Sequence, residues 1–228
     1  MASAKAARNA EVLVVDGGST DATPRVAADA GARVLRAPRG RAAQMNAGAA
    51  AASGRYLLFL HADSRLPADY AAQVRRLFRR PRTKLGAFRL TIDHPRRAFR
   101  MIEWAANMRS RWLRSPYGDQ GLAMRASDFY ALGGFRDLPI MEDYDLARRV
   151  AREADVAIAD TSVQTSPRRW LRHGVWRLTL IHQACLLAYR WGAAPERIAQ
   201  WRGTETASPP AGGDTTKPEM ARRDSGAR

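Results

Sequence analysis

The chain has 228 residues, of which 46% are hydrophobic and 8% aromatic, and this length and composition fit a single globular domain with a sizeable core. Its one cysteine, Cys185, excludes an intramolecular disulfide and favours a reducing, cytoplasmic compartment. Residues 1–10 lack the apolar core of a signal peptide, and no run of about 18 uncharged apolar residues occurs, so we expect neither export nor a membrane-spanning segment.

The formal net charge of +16 is compatible with a nucleic acid, a membrane surface or an anionic substrate. However, 35 of the 38 basic residues are arginine and alanine is abundant, a pairing that is typical of a GC-rich genome. The arginines are spread along the whole chain and are not interleaved with aromatic residues in one block. We therefore expect no specific nucleic-acid partner, while an anionic substrate or contact with the inner face of a membrane stays open.

Strands and helices alternate in the first part of the chain. β-Branched and apolar runs predict strands, and turn residues or glycines separate them from helical segments. The predicted order is a strand over 11–15, a turn at 16–21, a helix to Ala30, a strand over 32–35, a helix over 39–52 and a strand that ends near Leu60. This order predicts an α/β fold with a mostly parallel, Rossmann-like sheet and helices on both faces.

The second part of the chain predicts further elements of both kinds. These are a helix after Pro67, strands over 85–92, 121–125 and 156–159, and helices over 97–113, 127–132, 142–153 and 173–191. The helix over 97–113 carries Met101, Ala105, Met108 and Trp112 on one face, which favours packing against the protein over contact with an acceptor.

The helix over 173–191 is interrupted by charged and polar residues, so it should not cross a membrane. Packing on the sheet is the favoured interpretation, and lying in a membrane interface is the alternative, because Trp176, Trp191 and Trp201 have arginines nearby. The domain organisation that we expect is an N-terminal segment over 1–10, a domain over 11–202 and a disordered tail over 203–228.

Acidic residues follow the predicted strands and loops at three places: Asp16 with Asp21, Asp63, and Glu142 with Asp143 and Asp145. In an open α/β sheet, ligands bind beyond the carboxyl ends of the strands. An acid such as Asp63 could hold a divalent metal there, or could simply cap the turn. Asp16, before two glycines, could accept hydrogen bonds from a nucleoside, or could form an Asx-type turn.

Two helix starts complete this set. Arg41 lies at the start of the helix over 39–52, where backbone N–H groups and a guanidinium could bind a phosphate. Glu142 and Asp143 open the helix over 142–153, where a carboxylate could serve as a general base or could merely complement the helix dipole.

Together these segments resemble the family 2 glycosyltransferases, which have the GT-A fold. The resemblance is carried by Val14–Asp21, Arg41–Asn46, Phe59–Asp63 and Glu142–Asp143, in that order, and covers about Glu11 to Arg202. It is strongest for a bacterial subgroup described as selenium- and radical-SAM-domain-associated. In that subgroup His-Ala-Asp replaces the more usual Asp-x-Asp, as at His61–Asp63 here, and a Pro-x-Met-Glu-Asp segment recurs.

The resemblance implies an inverting transfer of a sugar from a nucleotide-diphosphate sugar to an acceptor hydroxyl of unknown identity. It implies that Asp143 is the catalytic base and that Asp63 binds Mn²⁺ or Mg²⁺. The implied donor-binding residues are Asp16, Gly18, Asp21, Arg41, Asn46, His61, Glu142, Arg169 and Trp170.

Relatives begin with a strand that reads roughly Val-Ile-Pro-x-x-Asn-Glu, and residues 1–10 hold no such motif. We therefore expect the first strand of the family fold to be missing from this chain. The alternative function is an N-terminally truncated, non-catalytic protein that binds anions or a membrane surface. A nucleotidyltransferase, which shares the sheet topology and the use of metal, is less favoured, because the Glu-Asp helix start suits a base for a hydroxyl.

Overall fold

The computed structural model describes residues 1–7 and 9–202, so the tail predicted over 203–228 lies outside the described residues. The strands are β1 (Leu13–Asp16), β2 (Arg33–Arg36), β3 (Tyr56–Phe59), β4 (Ser64–Arg65), β5 (Thr83–Ile92), β6 (Leu122–Arg125) and β7 (Asp155–Thr165). The helices are α1 (Thr23–Asp29), α2 (Arg41–Ala51), α3 (Tyr70–Leu77), α4 (Arg97–Trp112), α5 (Ala126–Ala131), α6 (Glu142–Glu153), α7 (Arg168–His173), α8 (Val175–Arg190) and α9 (Pro195–Arg202). Short 3-10 helices lie at Ala4–Ala6 and Gly118–Gln120.

The described strands form two sheets. β1 pairs with β2 in parallel, and a five-stranded sheet has the order β3-β6-β5-β7-β4. In the larger sheet β3, β5 and β7 run in one direction, whereas β6 and β4 oppose them. The expectation of a mostly parallel sheet is therefore corrected to a mixed one, because β6 is inserted antiparallel between β3 and β5.

Helices cover both faces of the five-stranded sheet, as predicted. On one face α2, α5 and α6 pack on a cluster that includes Leu57, Met124 and Leu146. On the other face α3 contributes Tyr70, Val74 and Phe78, which pack with Phe88 and Val163. The alternation of β5 and β6 explains this arrangement, because successive residues of a strand point to opposite faces.

The N-terminal segment forms no strand within residues 1–7 and 9–10. It packs against α3 instead: the Tyr70 hydroxyl donates to the Ala4 carbonyl over 2.5 Å, and the Leu66 amide donates to Ser3 Oγ over 3.2 Å. The edge of β1 that faces away from β2 has no partner strand among the described residues, and Gln44 Nε2 donates to the Val15 carbonyl there over 2.7 Å. Among the described residues, no strand joins the pair β1 and β2 to the five-stranded sheet.

The predicted and observed elements in the last part of the chain differ in extent and in number. β7 runs to Thr165 and is much longer than the strand predicted over 156–159. The helix predicted over 173–191 is observed as α8, and Gly174, whose φ is +86°, separates it from α7, which was not predicted. α9 was not predicted. None of the helices that the structure describes has both the length and the apolar content needed to cross a bilayer.

The face on which α4 was expected to pack is exposed. Met101, Trp104 and Trp112 have 60%, 67% and 70% of their surface accessible, and α4 buries Phe99 and Ala106 instead. The other residues on the inward face of α4 are polar. They hydrogen-bond to the backbone of β5, in the part of that strand that does not pair with β6. The hydrogen bonds are Leu90 N–H to Asn107 Oδ1, Asn107 Nδ2 to the Leu90 carbonyl, and Ile92 N–H to Glu103 Oε1. The packing prediction for this face is therefore wrong, because polar side chains of α4 take the place of a neighbouring strand.

Candidate active site

An open cavity of about 130 Å³ brings together most of the residues predicted for the site. It lies beyond the ends of β3 and β7 and is bounded by the starts of α2 and α6 and by α7, α8 and α9. The predicted residues on its wall are Arg41, His61, Asp63, Asp143, Arg169 and Trp170. Tyr117, Asp119, His182 and Arg202 also line it and were not predicted.

The segment at Gly118 lies between two of these side chains, His61 and Asp143. The Gly118 amide donates to Asp143 Oδ2 over 2.7 Å. A methyl group on Gly118 would approach His61 Nε2 to 2.6 Å and Asp143 Oδ2 to 3.2 Å, so a larger residue there would displace the His61 ring. His61, which follows β3, and Asp143, which starts α6, are therefore neighbours across the 3-10 helix.

Asp143 is held rigidly at the first turn of α6. Its Oδ1 accepts from the Tyr144 amide over 2.7 Å, in addition to the bond to Gly118. Met141, immediately before the helix, has a left-handed backbone with φ +68° and ψ +17°. Residues other than glycine adopt this conformation at a cost of about 1–2 kcal/mol, and such strain is concentrated at functional sites. The turn at Met141 sets the direction of Glu142 and Asp143 as they enter the helix.

Glu142 is fully buried and faces Arg41. The distances are 2.9 Å from Arg41 Nε to Glu142 Oε1 and 3.2 Å from Arg41 Nη2 to Oε2, and the first contact is an ion pair without hydrogen-bond alignment. Burial raises the pKa of Glu142 to about 7, the charge of Asp143 acts in the same direction, and Arg41 opposes both. The start of α2 and the start of α6 are thus joined inside the site.

Asp119 is a carboxylate of this site that the sequence did not reveal. Burial raises its pKa, Arg109 and His61 oppose that rise, and Asp143 and Asp63 add to it. Its Oδ1 is buried and has no hydrogen-bond partner among the described residues. The residue lies in a Gly-Asp-Gln-Gly turn rather than after a strand, so its position along the chain gave no signal of this role.

Arg202 and His182 form a basic wall that was also missed. Arg202 Nη2 lies 3.2 Å from His182 Nε2, and since arginine can only donate, the imidazole accepts and is neutral. Burial lowers the pKa of His182 to about 4, with further lowering by Arg202, Arg169 and Arg41. Leu178, His182 and Cys185 share one side of α8, and their spacing of four and three residues could have indicated this inward face.

Trp170 links the cavity to α4. Its Nε1 is buried without a hydrogen-bond partner among the described residues, and its ring meets Phe99 edge-on at 6.1 Å between centroids. Arg169 beside it lines the cavity, so the Arg-Trp pair of the sequence does reach the site.

One corner of the cavity offers side chains suited to a metal site shared with a ligand, although no group of three or more His, Cys, Asp or Glu residues that could hold a metal alone occurs among the described residues. Asp63 and Asp119 are close enough to interact electrostatically, and His61 Nε2 and Asp119 Oδ1 lack hydrogen-bond partners. Mg²⁺ is commonly held by one or two carboxylates together with substrate phosphates. These residues fit such a shared site and do not form a closed protein cage.

The structure does not bring the residues around β1 to the cavity wall. Asp16 accepts from the Gly18 and Ser19 amides at 3.1 Å and from the Ser19 hydroxyl, which lowers its pKa and is the Asx-type turn considered above. Asp21 accepts from the Thr23 amide at the start of α1. Both polar atoms of Asn46 bind the backbone of Phe135, so these contacts give no support to a role in donor binding.

Comparison with known proteins gives a family match and several similar solved structures. The model of the family described as Glycosyl transferase family 2 matches residues 2–136. No curated protein matches the chain. Among solved structures, the mannosyltransferase PcManGT from Pyrobaculum calidifontis, in complex with GDP-Man and Mn²⁺, is similar with a TM-score of 0.56 and 23% identity, over 82% of this chain and 56% of that chain.

S. aureus TarS (residues 1–349) is similar with a TM-score of 0.51 and 18% identity, over 69% of this chain and 51% of that chain. A second TarS structure, in complex with UDP-GlcNAc, gives a TM-score of 0.51 and 16% identity, over 68% and 49% of the two chains. The chain thus spans about half the length of these solved structures. The expected α/β fold of GT-A type is confirmed by this likeness.

Proposed function

Because the chain belongs to glycosyltransferase family 2, we propose that it moves a sugar from a nucleotide-diphosphate sugar to an acceptor hydroxyl with inversion at the anomeric carbon. The observation that carries this proposal is the division of charge within one cavity. Asp63, Asp119 and Asp143 lie on its wall, and Arg41, Arg169 and Arg202 line it as well. Such a cavity suits a ligand that carries both a diphosphate and sugar hydroxyls.

Asp143 is the proposed catalytic base. Two backbone amides fix its carboxylate, which reduces the entropy lost when a substrate hydroxyl approaches. A single carboxylate of this kind suffices for a one-step inversion, because it takes the acceptor proton as the hydroxyl attacks the anomeric carbon. The electron pair of the broken glycosidic bond leaves with the nucleoside diphosphate.

The basic side chains are proposed to hold the leaving diphosphate. Arg41 is oriented by Glu142, and Arg202 by the neutral ring of His182, so their charges are positioned before the ligand binds. His61, Trp170 and the predicted donor-binding residues around Asp16 are retained as proposed contacts of the donor, with Gly18 leaving its backbone accessible.

The metal is proposed to be Mn²⁺ or Mg²⁺, with Asp63 and Asp119 as its protein ligands. When bound, it would offset the charge that develops on the departing diphosphate. PcManGT was solved with Mn²⁺ and GDP-Man, and we extend this combination to the present chain only as a proposal. We also propose a bacterial, cytoplasmic location, where nucleotide sugars are made.

Donor turnover with Mn²⁺, measured over a panel of UDP-, GDP- and dTDP-sugars, tests this function. We expect transfer or slow hydrolysis of at least one donor. Asp143→Asn should lower that rate by roughly 10²- to 10⁴-fold with nearly unchanged donor affinity. The matched control is Asp29→Asn, which changes an exposed acid in α1, outside the cavity, and should keep the full rate.

The second candidate function is a non-catalytic protein that binds anions or a membrane surface. It is favoured by the unpaired edge of β1 and by the absence of Asp16 from the cavity wall. Binding to vesicles that persists in Asp63→Ala and Asp143→Ala, without turnover of any donor, would select it over transfer. Failure of this chain and of an N-terminally extended one to bind any donor would exclude the transferase.

A further inference from the structure

One side of α4 is an exposed apolar strip. It consists of Met101, Trp104, Met108 and Trp112, with the exposed Leu113 directly after the helix, and we call it the α4 strip. Trp104, Leu113 and Trp112 have 67%, 66% and 70% of their surface accessible. Two tryptophans and two methionines in one helical row form a contiguous patch, whereas single exposed apolar residues need no explanation.

The charges beside the α4 strip all have one sign. The exposed charged residues of α4 are Arg97, Arg100 and Arg111. The one acid in the helix, Glu103, is buried, 2.8 Å from Arg100 Nη2, and accepts from the Ile92 amide. The strip therefore offers apolar and cationic groups together and no exposed carboxylate.

α8 presents a second surface of the same composition. Trp176, Leu180, Leu187 and Trp191 are exposed on its outer side. No acidic residue occurs between Asp160 and Glu196, although Arg172, Arg177 and Arg190 are exposed. Val175, at the start of α8, and Trp170 pack on the buried side of α4, so the two helices adjoin.

The chemistry of the partner follows from this combination. A second copy of the chain meeting α4 on α4 would bring equal positive charges together, which opposes an isologous contact. An anionic bilayer accepts tryptophan and methionine at its interface and attracts arginine. We propose that the α4 strip, continued by the outer side of α8, docks the protein on the surface of an anionic membrane.

The inference goes beyond the proposed transfer and does not depend on it, because lipid binding is measured without donor. The full chain is floated with vesicles of phosphatidylcholine alone or mixed with phosphatidylglycerol. Binding is expected only, or far more strongly, with the mixed vesicles, and it should fall with added salt, since each arginine at an anionic surface strengthens binding about fivefold.

Paired variants localise the contact. Trp104→Gln with Trp112→Gln should lower the partition coefficient roughly tenfold or more, because the apolar burial is lost. Arg97→Gln with Arg111→Gln should remove most of the preference for anionic lipid. The matched control is Val26→Gln, since Val26 is 58% exposed on α1, and its partition should equal that of the unchanged chain.

Three results would overturn the proposal. The first is no flotation with either vesicle, and the second is equal flotation of the double tryptophan variant. The third is a dimer in light scattering that the tryptophan substitutions abolish, since this would make a second copy the partner of the strip. Far-ultraviolet circular dichroism and a cooperative thermal unfolding transition of each variant verify that it is folded, so that loss of binding is not loss of structure.

Discussion

Glu142 shows how strongly one buried carboxyl group makes the free energy of unfolding depend on pH. Its pKa of about 7 lies above the ordinary value of 4.5, because burial penalises the charged form. The folded protein therefore binds more protons than the unfolded chain between these two pH values. The contribution of Glu142 to the free energy of unfolding is therefore fully present below pH 4.5 and is lost as the pH rises through 7.

Glu142→Gln removes this titration and should change the pH dependence of stability. Relative to the variant, the unchanged chain should lose up to about 3 kcal/mol of unfolding free energy between pH 5 and pH 8. Urea unfolding at both values measures the difference, with Glu196→Gln as a control at an exposed acid. Parallel curves for the variant and the unchanged chain would show that Glu142 is ionised throughout.

Asp119 is the residue for which metal binding can be separated from turnover. Asp119→Asn keeps the shape of the side chain but removes its charge, so Mn²⁺ affinity in the presence of a nucleoside diphosphate should fall about tenfold or more. Electron paramagnetic resonance of free Mn²⁺ measures this without any reaction. Unchanged affinity would leave Asp63 as the only proposed protein ligand, and Asp29→Asn serves again as the control.

At the residue scale, the sequence predicted Asp63 and Asp143 because each follows or starts a recognisable element. Asp119 and Arg202 escaped for a physical reason. Both reach the cavity through tertiary packing, Asp119 from a 3-10 turn and Arg202 from a helix far along the chain. Their burial, rather than their spacing, distinguishes them from ordinary surface charges.

At the scale of elements, α4 shows what periodicity leaves undecided. The bounds of the helix were predicted to within a residue, and the buried side was wrong. Glu103, Asn107 and Ser110 form a polar row with spacings of four and three, and this row faces inward because it binds strand backbone and Gln120. A helical period indicates that the two sides of a helix differ in polarity. The unpaired edge of β5 decides that the polar side of α4 is the buried one, and the local sequence of α4 does not encode that edge.

Asn107→Ala should therefore destabilise the protein more than a change on the opposite side of α4. The substitution removes two hydrogen bonds and leaves the buried amide and carbonyl of Leu90 unpaired, which should cost about 2–3 kcal/mol. Met108→Gln, on the α4 strip, should change the free energy of unfolding by less than about 0.5 kcal/mol. Chemical denaturation of both variants compares the two sides, and equal effects would contradict the observed orientation.

At the scale of the whole molecule, the split sheet predicts uneven stability. β5 lies between β6 and β7, while β1 is paired, among the described strands, only with β2. Amide hydrogens of Ala87 and Leu90 should therefore exchange with solvent only through extensive unfolding, and those of Leu13 and Val15, which face away from β2, should exchange much faster. Hydrogen exchange followed by NMR tests this, and uniform protection of β1 and β5 would contradict it.

The whole-molecule topology was only partly accessible from the sequence. Alternation of strands and helices predicted an α/β sheet covered on both faces, and the resemblance predicted that the first strand is missing. The direction of β6 could not be read locally, because it depends on the path that the chain takes through α4 and the 3-10 helix before it returns between β3 and β5.

α8 has Leu178, His182 and Cys185 on the cavity wall and Trp176 and Leu180 on its outer side. A bilayer that fixes this helix from outside would alter how readily Arg202 and His182 accept a diphosphate inside. Thermodynamic linkage then requires the effect to be mutual. The factor by which bound lipid changes the affinity for the donor equals the factor by which bound donor changes the affinity for lipid. Vesicle titrations with and without nucleotide sugar, and donor titrations with and without vesicles, would each give that single factor.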